Sequence, residues 1–253
     1  MKILLNISYV GTAYCGYQVQ KNAVTIQQRL NEAASALFGF ECDIVGCSRT
    51  DRGVHANMFC ATVTKKGTGA IETAIDISRI PNAMNAHLPF DVAVTKAQWV
   101  PEDFHPRYDV KYKEYVYRIY NAPVRNPMES GRSWHIPFVY DDSAIEKMNR
   151  AAAFYVGIHD FSAFMASGSA VESTVRCIKY ANVVKKGDII EFTVAADGFL
   201  YNMVRILTGT LVSVAQGKLL PESIPEIIES KDRTRAGMTA PAEGLYLNKV
   251  VYD

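Results

Sequence analysis

The segment VRCIKYANVVKKGDIIEFTVA, residues 175 to 195, decides the fold class. Two runs rich in β-branched residues, Val175–Val184 and Asp188–Ala195, flank Lys186-Gly187, and this arrangement is typical of an antiparallel β-hairpin. The next apolar stretch, Leu200–Gln216, predicts a helix. A hairpin followed by a helix departs from the regular strand–helix–strand alternation of parallel-sheet proteins, and it favours an α+β fold.

The rest of the chain continues this mixture of elements. Strands are predicted at Lys2–Val10, Cys42–Cys47, Met58–Val63, Val92–Trp99, Tyr112–Tyr120 and Leu245–Tyr252. Further helices are predicted between a Thr25 cap and Gly39, at Ile71–Arg79 with a stop near Pro81, at Asp141–Tyr155 and at Ser223–Ser230. We expect an N-terminal half of residues 1–104 and a C-terminal half of residues 105–253, without a linker between them.

The composition excludes several classes of protein. With 49% hydrophobic and 21% charged residues among 253, the chain is neither disordered nor fibrous. Its 27 Lys and Arg against 26 Asp and Glu leave a net charge of +1, so any nucleic-acid binding must come from a local basic surface. Asn6 and Ser8 interrupt the apolar N-terminus, so we expect no signal peptide, and no apolar run reaches the ~18–20 residues of a membrane span. Five irregularly spaced cysteines fit a reducing compartment.

The stretch GCSRTDRGVHA, residues 46 to 56, holds the densest group of reactive side chains. If the chain stays extended to Asp51, then Arg49 and Asp51 point the same way, because side chains alternate along an extended chain. The cation would keep the Asp51 carboxylate ionised as a nucleophile or base. The alternative is a structural Arg–Asp pair that braces a turn, since such pairs are common outside active sites.

A second alternative in this stretch is a hydrolase with a Cys47 nucleophile and His55 as its base. Nothing in the sequence brings these two residues together, and a cysteine at a strand end is usually a small buried apolar residue. The five histidines form neither an i, i+4 pair nor an H-x-E motif. The sequence therefore predicts no metal centre.

Tyrosines interleave with basic residues between His105 and Arg132, where six Lys and Arg face three carboxylates. In the predicted strand Tyr112–Tyr120, Tyr115 and Tyr117 share one face. That face is either aromatic core or a stacking surface for bases, with the basic residues holding phosphates. The sequence leaves both interpretations open.

Arg205 lies among apolar neighbours in the predicted helix Leu200–Gln216. One explanation is a surface position at the edge of the helix. The other is a partly buried cation that needs a carboxylate partner such as Asp51, because burying a lone charge is costly.

Several motifs occur in a fixed order along nearly the whole chain. They are YVGTAYCGYQVQ at 9–20, SRTDRGVHA at 48–56, FHPRY at 104–108, EYVY at 114–117, FLYNMVR at 199–205 and EGLYL at 243–247. Together they resemble the tRNA pseudouridine synthase A family, whose catalytic loop reads G-R-T-D-A-G-V-H-A. The chain departs from the family pattern at Tyr17, Val10, Ser48 and Arg52, which stand in place of Trp, Asp, Gly and Ala.

This resemblance implies isomerisation of uridine to pseudouridine in the anticodon stem-loop of tRNA, at uridines 38 to 40, without a metal or an organic cofactor. The reaction breaks the C1′–N1 bond, turns the uracil and joins C5 to C1′, so no atoms are gained or lost. The carboxylate serves as nucleophile or, if a glycal forms, as base. A catalytically silent RNA-binding module is the alternative from another class, and the joint presence of Asp51, Tyr115 and Arg205 disfavours it.

The resemblance also assigns roles to individual residues. Asp51 is the catalytic carboxylate, Tyr115 stacks on the target uracil, and Leu245 occupies an apolar pocket position. Arg49 helps to hold the flipped-out nucleotide, and Arg205 pairs with the carboxylate. We expect contacts with RNA phosphates from four more basic residues: Arg52, Arg107, Lys111 and Lys113.

The fold that the family implies is the α+β pseudouridine synthase fold. Two similar α/β halves form a continuous mixed, mainly antiparallel sheet, with helices on the outside and a basic central cleft. The family acts as a cytoplasmic homodimer whose two subunits share one tRNA. We therefore expect a tRNA partner, a second copy of this chain and no membrane association.

Overall fold

A computed structural model describes residues 1–168 and 171–252, and it divides the chain into two compact units. Unit 1 comprises Met1–Lys111 and Tyr246–Asp253, and unit 2 comprises Tyr112–Leu245. Each unit combines a sheet with helices, which confirms the α+β prediction. The predicted division after residue 104 stays a prediction. Within the described ranges, no helix has the length and apolar character that crossing a membrane requires.

The elements follow one another in the mixed order that the sequence predicts. The strands are β1 (Lys2–Tyr9), β2 (Cys42–Gly46), β3 (His55–Lys65), β4 (Val92–Val100), β5 (Tyr112–Tyr120), β6 (Trp134–His135), β7 (Gly157–Asp160), β8 (Val175–Lys186), β9 (Ile189–Ala196) and β10 (Leu245–Val251). The α-helices are α1 (Ile26–Phe38), α2 (Ile80–Asn85), α3 (Asp142–Ala153), α4 (Met203–Ala215) and α5 (Ile224–Ser230). Among the strands of the described residues, only β6 and β7 have no counterpart in the predicted strands, because segments of two and four residues are too short to show a periodic pattern.

The sheet of unit 1 has the strand order β4-β1-β3-β10, and β2 also pairs with β3. β1 is antiparallel to both β3 and β4, whereas β10 is parallel to β3. The face of β1 that carries Ile3, Leu5 and Ile7 is fully buried. The sheet is therefore mixed, with β1 and β3 in its interior.

Helix α1 begins and ends at the predicted residues. The Thr25 hydroxyl accepts a hydrogen bond from the Gln28 amide at 3.3 Å. Gly39 ends the helix in the left-handed region, with φ +75°. The Gln28 side chain donates to the Glu32 carboxylate at 2.9 Å.

The predicted helix Ile71–Arg79 is wrong. The chain instead forms a short 3-10 turn at Ile77–Arg79, and helix α2 then runs over Ile80–Asn85. Pro81 does not stop a helix here, since it lies in the first turn of α2. A proline is favourable there because its missing N–H has no partner to lose in the first turn.

The sheet of unit 2 has the antiparallel order β5-β9-β8-β7, and β6 pairs in parallel with β5. The predicted hairpin is confirmed as β8 and β9, with Gly187 at φ +59° in its turn. Helix α4 begins at Met203 rather than at Leu200, because Asn202 adopts a left-handed conformation with φ +58°. Most of α4 is buried, as its apolar sequence predicts.

Candidate active site

The loop that carries Asp51 joins β2 to β3 within unit 1. The Tyr17 amide donates to the Thr50 carbonyl oxygen at 3.0 Å, and the Val54 amide donates to the Asp51 carbonyl oxygen at 3.1 Å. The second bond closes a turn in which Gly53 has φ +80°, a conformation that favours glycine. The backbone on both sides of the Asp51 side chain is therefore held in place.

Thr50, the residue before Asp51, is held in place by contacts with two residues of the N-terminal motif, Tyr9 and Gly16. The phenol oxygen of Tyr9, at the end of β1, lies 2.8 Å from the Thr50 hydroxyl oxygen, and both side chains are buried. Gly16 approaches the same residue so closely that a Cβ atom there would lie 2.7 Å from the Thr50 carbonyl oxygen. Two segments from the N-terminal motif thus support the loop.

Exposure alternates over the three residues from Arg49 to Asp51. Thr50 is buried, whereas Asp51 is partly exposed and Arg49 is exposed. Arg52, which stands where the family has Ala, is also exposed. Asp51 thus keeps part of its surface exposed, on a loop whose backbone is held by hydrogen bonds from the Tyr17 and Val54 amides.

The geometry does not support the thiol hydrolase. Cys47 is fully buried, and its sulfur accepts the Cys60 amide at 3.4 Å. His55 is also fully buried; its Nδ1 accepts the Gly11 amide at 2.9 Å, and its ring stacks on Tyr246 with centroids 4.6 Å apart. A substrate has no approach to either group, so both residues serve the packing of the loop.

In unit 2, Tyr115 lies on β5 and keeps 7% of its surface exposed. Its ring meets Phe199 in a T-shaped contact with centroids 5.0 Å apart. Tyr117 and Ile119, on the same face of β5, are fully buried. The aromatic-core interpretation of this face therefore holds at Tyr117 and Ile119, and a stacking role for Tyr115 stays a prediction.

Arg205 lies in the first turn of α4 and is partly exposed. Its Nε donates to the Ala240 carbonyl oxygen at 2.7 Å, and its Nη1 donates to the Asn202 side-chain oxygen at 2.7 Å. The Ala240 amide donates back to the Arg205 carbonyl oxygen at 3.1 Å. The sequence does not predict the contacts of the Arg205 side chain with Ala240 and Asn202. Its one hint is the residue type of Asn202, because asparagine is enriched in the left-handed conformation that begins α4 here.

Leu245 ends unit 2 and keeps only 7% of its surface exposed. The preceding Gly244 packs against β5 so closely that a Cβ atom there would lie 2.6 Å from the Tyr117 ring and 2.7 Å from the Arg118 carbonyl oxygen. The glycine of the closing motif is thus required by this close approach. It fixes the backbone that presents Leu245.

The predicted phosphate-binding residues differ in their surroundings. Arg52, Arg107 and Lys111 are exposed in unit 1, and Lys113 is partly exposed in unit 2. By contrast, the Arg118 guanidinium lies 3.8 Å from the carboxylates of both Glu129 and Glu191. Part of the positive excess between His105 and Arg132 is therefore balanced within the fold.

Comparison with known proteins identifies the class of enzyme. The family model for tRNA pseudouridine synthase matches residues 6–109 and 151–253, and the chain belongs to this family. It is 43% identical to tRNA pseudouridine synthase A of Thermoanaerobacter sp. (strain X514) and 44% identical to that of Acetivibrio thermocellus, over 99% of each chain. These matches confirm the resemblance, the pseudouridine synthase fold and an isomerase that acts on uridine in tRNA.

Proposed function

We propose that this isomerase modifies uridines 38 to 40 in the anticodon stem-loop of tRNA and that Asp51 is its catalytic carboxylate. The observation that carries the proposal is the loop geometry: Asp51 is partly exposed, while the flanking backbone is bonded to Tyr17 and Val54. A carboxylate on a fixed, accessible turn suits covalent chemistry on a substrate that must be held in place.

Asp51 can act in either of two balanced routes. As a nucleophile, its oxygen bonds to C1′ while the C1′–N1 bond breaks, and the uracil leaves with the electron pair. C5 of the turned uracil then displaces the carboxylate, loses its proton and leaves N1 protonated. As a base, Asp51 instead takes the C2′ proton while the C1′–N1 bond breaks, which gives a glycal and a uracil anion. C5 of the turned uracil then bonds to C1′ as the proton returns to C2′, and C5 loses its own proton while N1 becomes protonated.

The remaining residues prepare the nucleotide for this step. Tyr115 stacks on the target uracil, and its T-shaped contact with Phe199 holds the ring ready. Arg49 holds the flipped-out nucleotide, Arg205 orients the Asp51 carboxylate, and Leu245 provides an apolar wall. Flipping costs a few kcal/mol of stacking, which phosphate contacts recover. The enzyme acts as a cytoplasmic homodimer.

The test is to incubate the protein with unmodified tRNA transcripts and to map pseudouridine by carbodiimide-dependent reverse-transcription stops. Wild type gives stops at positions 38 to 40, and Asp51→Asn gives none while it binds tRNA and melts as wild type does. Asp43→Asn is the matched control, because Asp43 is an exposed carboxylate of the same unit and its loss leaves turnover intact. Retained turnover in Asp51→Asn contradicts the catalytic role, and stops elsewhere contradict the positions.

A further inference from the structure

The turn Phe104–Asp109 of unit 1 presents an aromatic ring on a rigid support. Tyr108 is 75% exposed, and its ring stacks on the His105 imidazole with centroids 4.2 Å apart and planes 30° apart. His105 Nδ1 accepts the amides of Arg107 at 3.1 Å and Tyr108 at 3.3 Å. The His105 amide in turn donates to the Asp109 carboxylate at 2.8 Å. The ring is therefore exposed but not loosely attached.

The inner side of this turn is fixed to the sheet of unit 1. The Lys2 ammonium donates to the Phe104 carbonyl oxygen at 3.0 Å, and the Tyr252 hydroxyl donates to the Pro106 carbonyl oxygen at 2.7 Å. The Phe104 ring also packs on the Tyr252 ring, with centroids 5.1 Å apart. Because these three contacts already hold the turn, it loses little further conformational entropy when Tyr108 binds a partner.

The outer side of the turn carries a cation beside the ring. The Arg107 guanidinium carbon lies 5.9 Å from the Tyr108 ring centroid, and Arg107 and Lys111 are both exposed. Among the nearby carboxylates, Glu102 is paired with the N-terminal ammonium at 2.7 Å, and Asp103 is exposed. An aromatic face beside an arginine is the arrangement by which proteins stack an unpaired base and hold its phosphate.

The turn and the Asp51 loop lie at opposite ends of β1. Lys2, which bonds to the turn, begins this strand, and Tyr9, which bonds to Thr50, ends it. Seven steps of about 3.4 Å separate these two residues, or roughly 24 Å. Tyr108 is therefore too far from Asp51 to touch the nucleotide that reacts there.

We propose that Tyr108 and Arg107 form a second RNA-binding site, which stacks an unpaired base of the tRNA remote from the target uridine and contacts its phosphate. This inference rests on the tRNA substrate of the proposed function. Because the site does not touch the reacting atoms, it contributes to KM and leaves kcat unchanged. His105 is its positioning residue.

The test compares Tyr108→Ala and Tyr108→Phe on a full-length tRNA transcript and on an isolated anticodon stem-loop. Stacking on one aromatic side chain typically changes affinity by roughly 5- to 100-fold, so Tyr108→Ala weakens tRNA binding and raises KM by a factor in that range. Tyr108→Phe keeps the ring and behaves as wild type. The stem-loop, which lacks the remote base, is bound and converted equally by all three proteins.

Salt dependence separates the ring from the cation. In Arg107→Gln, the negative slope of log affinity against log salt concentration becomes shallower by about 0.7–0.9, because one phosphate contact is lost. Tyr108→Ala leaves that slope unchanged. Phe138→Ala is the matched control, since it removes an equally exposed ring in unit 2 and leaves tRNA binding unchanged.

Three results overturn the inference. They are unchanged tRNA affinity in Tyr108→Ala, an equal loss on tRNA and stem-loop, and a changed oligomeric state in size-exclusion chromatography, which assigns the ring to a protein interface. If wild type forms pseudouridine while Tyr108→Ala binds normally, only this inference fails. If wild type forms no pseudouridine in tRNA, the proposed function fails as well.

Discussion

The phenol oxygen of Tyr9 and the hydroxyl oxygen of Thr50 are 2.8 Å apart in the interior of unit 1. Tyr9 ends an interior strand of the sheet, and Thr50 immediately precedes Asp51. A buried group that loses its hydrogen-bond partner typically costs about 1–3 kcal/mol. This side-chain contact therefore couples the position of the proposed catalytic carboxylate to the sheet.

We predict that Tyr9→Phe lowers both the stability and kcat of the enzyme. The Thr50 hydroxyl loses its partner, so the melting temperature falls by a few degrees, and the loosened loop lowers kcat by about tenfold with little change in KM. Calorimetry and single-turnover kinetics measure the two effects. Tyr140→Phe, which removes a buried hydroxyl bonded to Gln216 in unit 2, is the control that lowers stability alone. An unchanged kcat in Tyr9→Phe refutes the coupling.

We predict that Tyr17→Phe stabilises the protein. The Tyr17 ring stacks on Phe59 with centroids 4.3 Å apart, but within the described part of the chain its buried hydroxyl has no hydrogen-bond partner. Burial also raises the pKa of Tyr17 well above its usual range, so the hydroxyl stays neutral. Removing it keeps the stack and adds about 1 kcal/mol to the free energy of unfolding.

Urea unfolding measures this change, and Tyr117→Phe provides the opposite case. The Tyr117 hydroxyl donates to the Pro241 carbonyl oxygen at 2.6 Å, so its removal leaves that acceptor without this bond and lowers the free energy of unfolding. The two phenylalanine variants therefore shift stability in opposite directions. A lower free energy of unfolding in Tyr17→Phe refutes the prediction.

The sequence predicts elements where two independent signals coincide. Helix α1 combines apolar periodicity with a Thr25 cap and Gly39 at its end, and both ends are confirmed. The bounds that the sequence predicts for helix α2 are wrong, because a proline is compatible with either the end or the first turn of a helix and Pro81 alone does not distinguish the two.

The sequence likewise predicts one part of the candidate site and not the other. The Asp51 loop is recognisable because its reactive residues are consecutive in the sequence. The contacts that position the candidate site residues are not consecutive, since Tyr9 and Thr50 of unit 1 are 41 residues apart and Arg205 and Ala240 of unit 2 are 35 apart. Such contacts arise from tertiary packing, and no local spacing in a single sequence marks them.

We predict that the Asn202 side chain positions Arg205. Asn202→Gly keeps the left-handed backbone, which glycine adopts readily, but removes the oxygen that accepts from Arg205 Nη1. Losing one hydrogen bond to a charged group typically lowers kcat/KM by about tenfold, while the melting temperature changes little. Asn202→Asp retains an acceptor and tolerates the same backbone, so it keeps most of the activity. Equal kcat/KM for Asn202→Gly and wild type contradicts the positioning role.

The carboxylate of Asp160 gives a pH-dependent contribution to the stability of unit 2. It accepts the Thr174 hydroxyl at 2.6 Å and the Ser162 amide at 3.1 Å, and it lies 2.9 Å from the Lys231 ammonium. The bond from Thr174 is the largest of the interactions that hold the pKa of Asp160 well below its usual range. Because the pKa is lower in the folded state than the unfolded value of about 3.9, this stabilisation is complete above about pH 5 and is lost as the pH falls below 4.

We predict that Asp160→Asn lowers the free energy of unfolding by about 1–3 kcal/mol at pH 7 and that its difference from wild type narrows towards pH 2. Urea unfolding at pH 7, 4 and 2.5 measures the change. Thr174→Val removes the hydrogen bond that lowers the Asp160 pKa most, and it reproduces much of the loss in the free energy of unfolding. Lys231→Asn removes only a charge whose side chain is 63% exposed, so its effect is smaller because solvent screens it. A difference between Asp160→Asn and wild type that stays constant with pH contradicts a depressed pKa at this carboxylate.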